Sequence, residues 1–123
     1  MMREIVFVHI PKSGGVSILP VCQKHRIRVI DHNIRNKNHI SLEAYKSLNP
    51  DCFAFTFVRN PWDRVVSAYF YLKNGGISEE DREDAERYLP YDNFRSFVLD
   101  GFKAGKIFNQ MHFRPQYQWL SRD

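Results

Sequence analysis

Glu4-Ile5-Val6-Phe7-Val8-His9-Ile10-Pro11-Lys12-Ser13-Gly14-Gly15-Val16-Ser17 decides the fold. Residues 4–10 are β-branched and apolar almost throughout, the pattern of a strand buried on both faces and therefore parallel to its neighbours. Pro11 to Gly15 reads as a loop with two adjacent glycines, and a helix follows from Gly15 to His25, with Pro20 expected to kink or shorten it. A loop between a strand and a helix suits an anion. The first helical amides lack intrahelical partners, the helix dipole is positive there, and glycine lets the backbone approach closely. Lys12 adds a full charge and Ser17 a hydroxyl.

The rest of the chain repeats the alternation. Ile27–Asp31 reads as a second strand, and His32 to His39 as a polar, basic loop. Ser41 can cap a helix that ends at Leu48, before Asn49-Pro50. Cys52–Arg59 is the clearest strand, and Asn60-Pro61 opens a helix to Lys73, closed by Gly75-Gly76. Ser78–Leu89 is acidic, an exposed helix or a mobile insertion. Asp92–Asp100 reads as an amphipathic helix with Phe94, Phe97 and Val98 on one face and Gly101 as its stop. Residues 102–123 fit no single pattern. Strands alternating with helices predict an α/β domain with a parallel sheet.

Composition sets wide bounds. At 123 residues, 43% hydrophobic and 26% charged, the chain fits one globular domain, residues 1–123. Its formal charge of +4 favours anionic partners without choosing among them. Cys22 and Cys52 have no metal-ligand spacing and no Cys/His cluster beside them, so neither a metal site nor a disulfide framework is expected. The first apolar run is too short for a signal core or a membrane span, which points to the cytoplasm or to an anchor outside this chain.

The loop is not a Walker loop, in which Lys follows the second Gly and precedes Ser or Thr. Here Lys12 precedes Gly14-Gly15. A second strand-to-helix junction, Phe57-Val58-Arg59-Asn60-Pro61-Trp62-Asp63-Arg64-Val65-Val66-Ser67-Ala68-Tyr69, places Arg59 at a strand end and Ser67 about two turns into the next helix. Arg59 as a forked donor and Ser67 as a hydroxyl donor can meet one anion. Alternatively, Arg59 pairs with Asp63 and Ser67 only packs. Arg64 suits an ion pair, and Trp62 suits packing at the helix start or a place beside a base.

The two junctions together resemble the sulfotransferases that use 3'-phosphoadenosine 5'-phosphosulfate (PAPS). The first is similar to their 5'-phosphosulfate loop, above all in the carbohydrate branch, where Thr stands at the positions of Ser13 and Val16. The second is similar to their 3'-phosphate motif, including Asn60-Pro61, Arg64 and Tyr69. Asn38-His39-Ile40-Ser41-Leu42 resembles the histidine-bearing segment of the uronyl 2-O-sulfotransferases, although Lys37 replaces a second histidine of that group. His112-Phe113-Arg114-Pro115-Gln116-Tyr117 faintly resembles a further family segment, after which the chain stops.

The resemblance implies a three-layer α/β/α fold with a central parallel sheet, akin to the P-loop nucleotide kinases, in a minimal or C-terminally shortened member. It implies PAPS as co-substrate, no metal, and a hydroxyl acceptor, expected to be a saccharide. Lys12, Ser13, Gly14, Gly15, Val16 and Ser17 would hold the 5' side, and Arg59 with Ser67 the 3'-phosphate. Lys12 would also act in the chemistry, and His39 would take the proton. His32 is the reserve base, and Asp31 and Glu43 remain open. His39 could instead only precede and cap its helix. His9 reads as a satisfied strand residue, and His25 as a helix-end cation. A non-catalytic nucleotide-binding module and a P-loop phosphotransferase are the competing classes. The phosphotransferase would need a Walker lysine and a magnesium carboxylate.

Overall fold

A computed structural model describes residues 3–31 and 42–120. The chain divides into two compact units, residues 1–59 with 115–123, and residues 60–114.

The first unit carries the sheet. β1 (Ile5–Val8) is central, flanked by β2 (Arg28–Ile30) and β3 (Phe53–Thr56) in the order β2-β1-β3, both pairings parallel. Val8 stands opposite Ile30 on one side and Thr56 on the other. Val6, Phe7 and Val8 are fully or almost fully buried, as expected of a strand with neighbours on both edges. Val6 and Val8 pack with Ile30, Cys52, Leu42, Tyr45 and Leu120, whereas Phe7 turns to the other face, against Phe55 and Phe57. Both cysteines are buried and free.

α1 (Gly15–Lys24) follows β1 and runs through Pro20 without ending there, finishing at His25 as foreseen. α2 (Leu42–Leu48) precedes β3. The strand expected over Cys52–Arg59 stops at Thr56. Beyond it, Phe57 and Val58 are exposed, and both backbone groups of Arg59 bond to a side chain in place of a ladder.

The second unit is helical. In α3 (Pro61–Lys73) the Asn60 side chain accepts from the N–H groups of Trp62 and Asp63, the cap its sequence foretells. At the far end, Gly76 N–H donates to Tyr71 O and Gly75 N–H to Leu72 O, with both glycines at positive φ. α4 (Glu79–Tyr88) settles the acidic segment as a helix capped by Ser78. Its Asp81 is buried and accepts from Tyr71 Oη at 2.8 Å and Ile77 N–H at 3.0 Å. Burial pushes the Asp81 carboxyl up, but these bonds outweigh it and hold the group below the usual range. Burial, with Asp81 as acceptor, pushes the Tyr71 phenol up to about 12.

Gly101 is not a helix stop. Helical winding continues over residues 94–104, with a π turn at Phe97–Gly101, and ends at Gly105, whose φ is +71°. Gly101 sits close under the Phe97 ring, where an added Cβ would lie a tight 3.0 Å from the ring. The π turn breaks the 3.6-residue period on which the Phe94–Phe97–Val98 face was drawn. Phe97 is fully buried and Val98 is exposed. Phe97 packs its ring at tilted angles against Tyr69, Phe94, Phe102 and Phe113, which makes it the centre of this unit's core. No described helix is long and apolar enough to cross a membrane.

Candidate functional site

The loop after β1 has the geometry of an anion cradle. Gly14 caps α1 with φ +89°, and an added Cβ there would meet nothing within 4 Å. No side chain caps the helix, so its first amides are not taken up by one. Gly15 is buried beneath the His9 imidazole, and any side chain at Gly15 would collide with that ring. Lys12 is half-buried and has φ +63°, a left-handed backbone that costs a non-glycine residue about 1–3 kcal/mol and clusters at ligand clamps. Burial, then the nearby positive charge of Arg59, lowers the Lys12 ammonium pKa below its ordinary value. Lys12, Ser13, Gly14, Gly15 and Ser17 thus lie together on one turn of chain, as the sequence indicates. Val16 lies among them 91% exposed.

Arg59 reaches this loop directly. Its Nη1 donates to the Lys12 carbonyl at 3.3 Å, although 47 residues separate the two. The parallel register explains the approach: β1 and β3 are direct neighbours, and both loops leave the carboxyl ends of their strands. Arg59 is the last residue of the first unit, and Ser67 lies half-buried on α3 in the second.

Sequence reasoning gave one residue here no role of its own. Gln116 holds both backbone groups of Arg59, accepting from its N–H at 2.9 Å and donating to its carbonyl at 2.9 Å. The Ser13 hydroxyl also donates to the same Gln116 oxygen, at 3.4 Å. The faint resemblance at residues 112–117 was the available signal, but a contact across 57 residues has no local signature. Asp31, left open as a base, has a partner of its own. It lies just past β2 and bonds His9 Nδ1 at 2.9 Å. His9 itself lies one residue beyond β1 rather than within it, and it is satisfied by that carboxylate.

Other expectations fare differently. Arg64 is buried, and its Nη1 donates to the Arg114 carbonyl at 2.8 Å, a structural role; burial lowers its pKa to about 10. Trp62 is 77% exposed and does not pack at the helix start. His39, His32 and Ser41 lie outside the described residues. Among the described residues no group of three or more His, Cys, Asp or Glu side chains could hold a metal ion.

No curated protein and no solved structure matches this sequence. The model of the sulfotransferase family matches residues 2–122, so the chain belongs to that family.

Proposed function

We propose that the protein transfers a sulfuryl group from PAPS to a hydroxyl of a carbohydrate. The observation that carries this is the cradle at the start of α1, with Gly14 left-handed, Lys12 turned into left-handed backbone, and the Arg59 guanidinium joined to the Lys12 carbonyl. Family membership supports sulfuryl transfer in general. The two basic junctions support this donor, because a nucleotide with phosphates at both its 5' and 3' positions needs two anion sites.

The fit of that donor is good. The α1 amides, Lys12, Ser13 and Ser17 supply positive and donor groups for a 5'-phosphosulfate. Arg59 and Ser67 would bind the 3'-phosphate. In the transfer, the acceptor oxygen bonds to sulfur as the bond from sulfur to the bridging oxygen breaks, and the nucleotide leaves as the 3',5'-bisphosphate. Lys12 would hold the negative charge that gathers on the bridging oxygen. His39 would take the acceptor proton. The scheme calls for no metal.

Arg59→Ala should weaken binding of 3'-phosphoadenosine 5'-phosphate (PAP) by roughly 1.5–3 kcal/mol, and Ser67→Ala by less. A nucleotide lacking the 3'-phosphate should bind both variants nearly as it binds the parent protein. Calorimetry with the two nucleotides checks this, and equal losses for both would refute the assignment. Val16→Thr restores a hydroxyl at an exposed position of the cradle. It should tighten PAP binding by about 0.5–1.5 kcal/mol if the hydroxyl reaches the phosphate. An unchanged or weaker affinity in the same titration would mean the loop has adapted to valine.

A further inference from the structure

We propose that Gln116 is a positioning residue that sets the distance between the two phosphate-binding loops, an inference that rests on the nucleotide reading above. Its carboxamide is used from both ends. Oε1 accepts from Arg59 N–H at 2.9 Å and from the Ser13 hydroxyl at 3.4 Å, while Nε2 donates to the Arg59 carbonyl at 2.9 Å. One side chain therefore touches the residue after Lys12 and fixes the backbone of Arg59, whose guanidinium returns to the Lys12 carbonyl. The bonds form a closed circuit through Lys12, Ser13, Gln116 and Arg59.

The circuit forms where β3 has ended and its ladder no longer holds the chain. Val58 and Arg59 are exposed there, so packing does not fix Arg59 either. Gln116 is itself firmly anchored. It opens a short 3-10 turn, Gln116–Trp119, whose Trp119 is buried, and the following Leu120 packs on the core beneath β1. The sheet core thus holds Gln116, and Gln116 holds Arg59 and the Lys12 loop. A carboxamide suits this position because it both donates and accepts. A carboxylate could not donate to the Arg59 carbonyl and would bring negative charge beside an anion site.

The test compares the parent protein with Gln116→Met, which keeps length and volume but removes the polar ends. Two measurements are made on the full chain: PAP affinity by calorimetry, and amide hydrogen exchange without nucleotide. The circuit predicts that Gln116→Met weakens PAP binding roughly tenfold. It predicts much faster exchange at the Arg59 amide, with the amides of β1 unchanged. In an Arg59→Ala background the same change should cost less than about threefold in PAP affinity, because the guanidinium it positions is gone. Faster exchange at Arg59 with unchanged PAP affinity would overturn the proposal and leave Gln116 as a local tie. A tenfold loss in both backgrounds, with exchange rising throughout β1, would overturn it in favour of a general folding defect. A parent protein that binds no PAP would overturn the nucleotide reading and this inference with it, and that control is separate from every comparison of variants.

Discussion

Lys12→Ala should lower sulfuryl transfer by about 10²–10³ on a fixed acceptor, the usual loss when one preorganised charge is removed from a developing anion. The expectation comes from where the ammonium sits. Lys12 is half-buried at the start of the cradle, its backbone is left-handed, and Arg59 braces its carbonyl. Its backbone is held before any nucleotide arrives, which limits the reorganisation that transfer demands. The pH dependence has a definite sign. Burial, then Arg59, lowers the Lys12 pKa below 10.5, so its proton is lost earlier than from an ordinary lysine. Turnover should fall as pH rises through that lowered value, and Lys12→Arg should move this alkaline limb upward because guanidinium stays charged. Near-parental turnover in Lys12→Ala would remove Lys12 from the site.

His39→Ala should cut turnover by roughly 10²–10⁴ while PAP affinity stays within about a factor of two. In this proposal the base touches the acceptor hydroxyl, and the phosphates are held elsewhere, at the α1 cradle and by Arg59 and Ser67. A base must be unprotonated to act, so turnover in the parent should rise with pH through a histidine pKa, about 6.5 if unshifted, and the variant should lose that limb. The parent is assayed first against several polysaccharides. Activity that survives His39→Ala but falls with His32→Ala would keep the enzyme and change its base. PAP binding without transfer to any of them would favour a binding module.

The fold class and the strand-loop-helix order around Gly14-Gly15 were legible in the sequence because their signals are local. Residues 4–10 could be read as a doubly buried strand from side-chain type alone, and Gly14-Gly15 after it could be read as close backbone approach. The Asn60-Pro61 helix start was legible for the same reason. The errors arose where distant residues decide. Arg59 left the strand because Gln116, 57 residues away, takes its backbone groups. Gly101 passed for a stop because glycine after an apolar helix usually is one, whereas here the winding runs on through it, close under the Phe97 ring. Of the expected apolar face, Phe97 is buried and Val98 is exposed, and a π turn at Phe97–Gly101 replaces the regular winding. His9 could be seen as satisfied, but its partner Asp31 depends on the pairing of β1 with β2, which no local pattern encodes.

The central claim is that two anion-binding junctions serve one nucleotide with phosphates at both 5' and 3' positions. Calorimetry with PAP and with ADP tests it most directly, since both carry an adenosine and only PAP has the 3'-phosphate. PAP should bind the parent protein at least about tenfold more tightly than ADP, with that preference lost in Arg59→Ala. Equal binding of the two nucleotides, or tighter binding of ADP, would contradict the account.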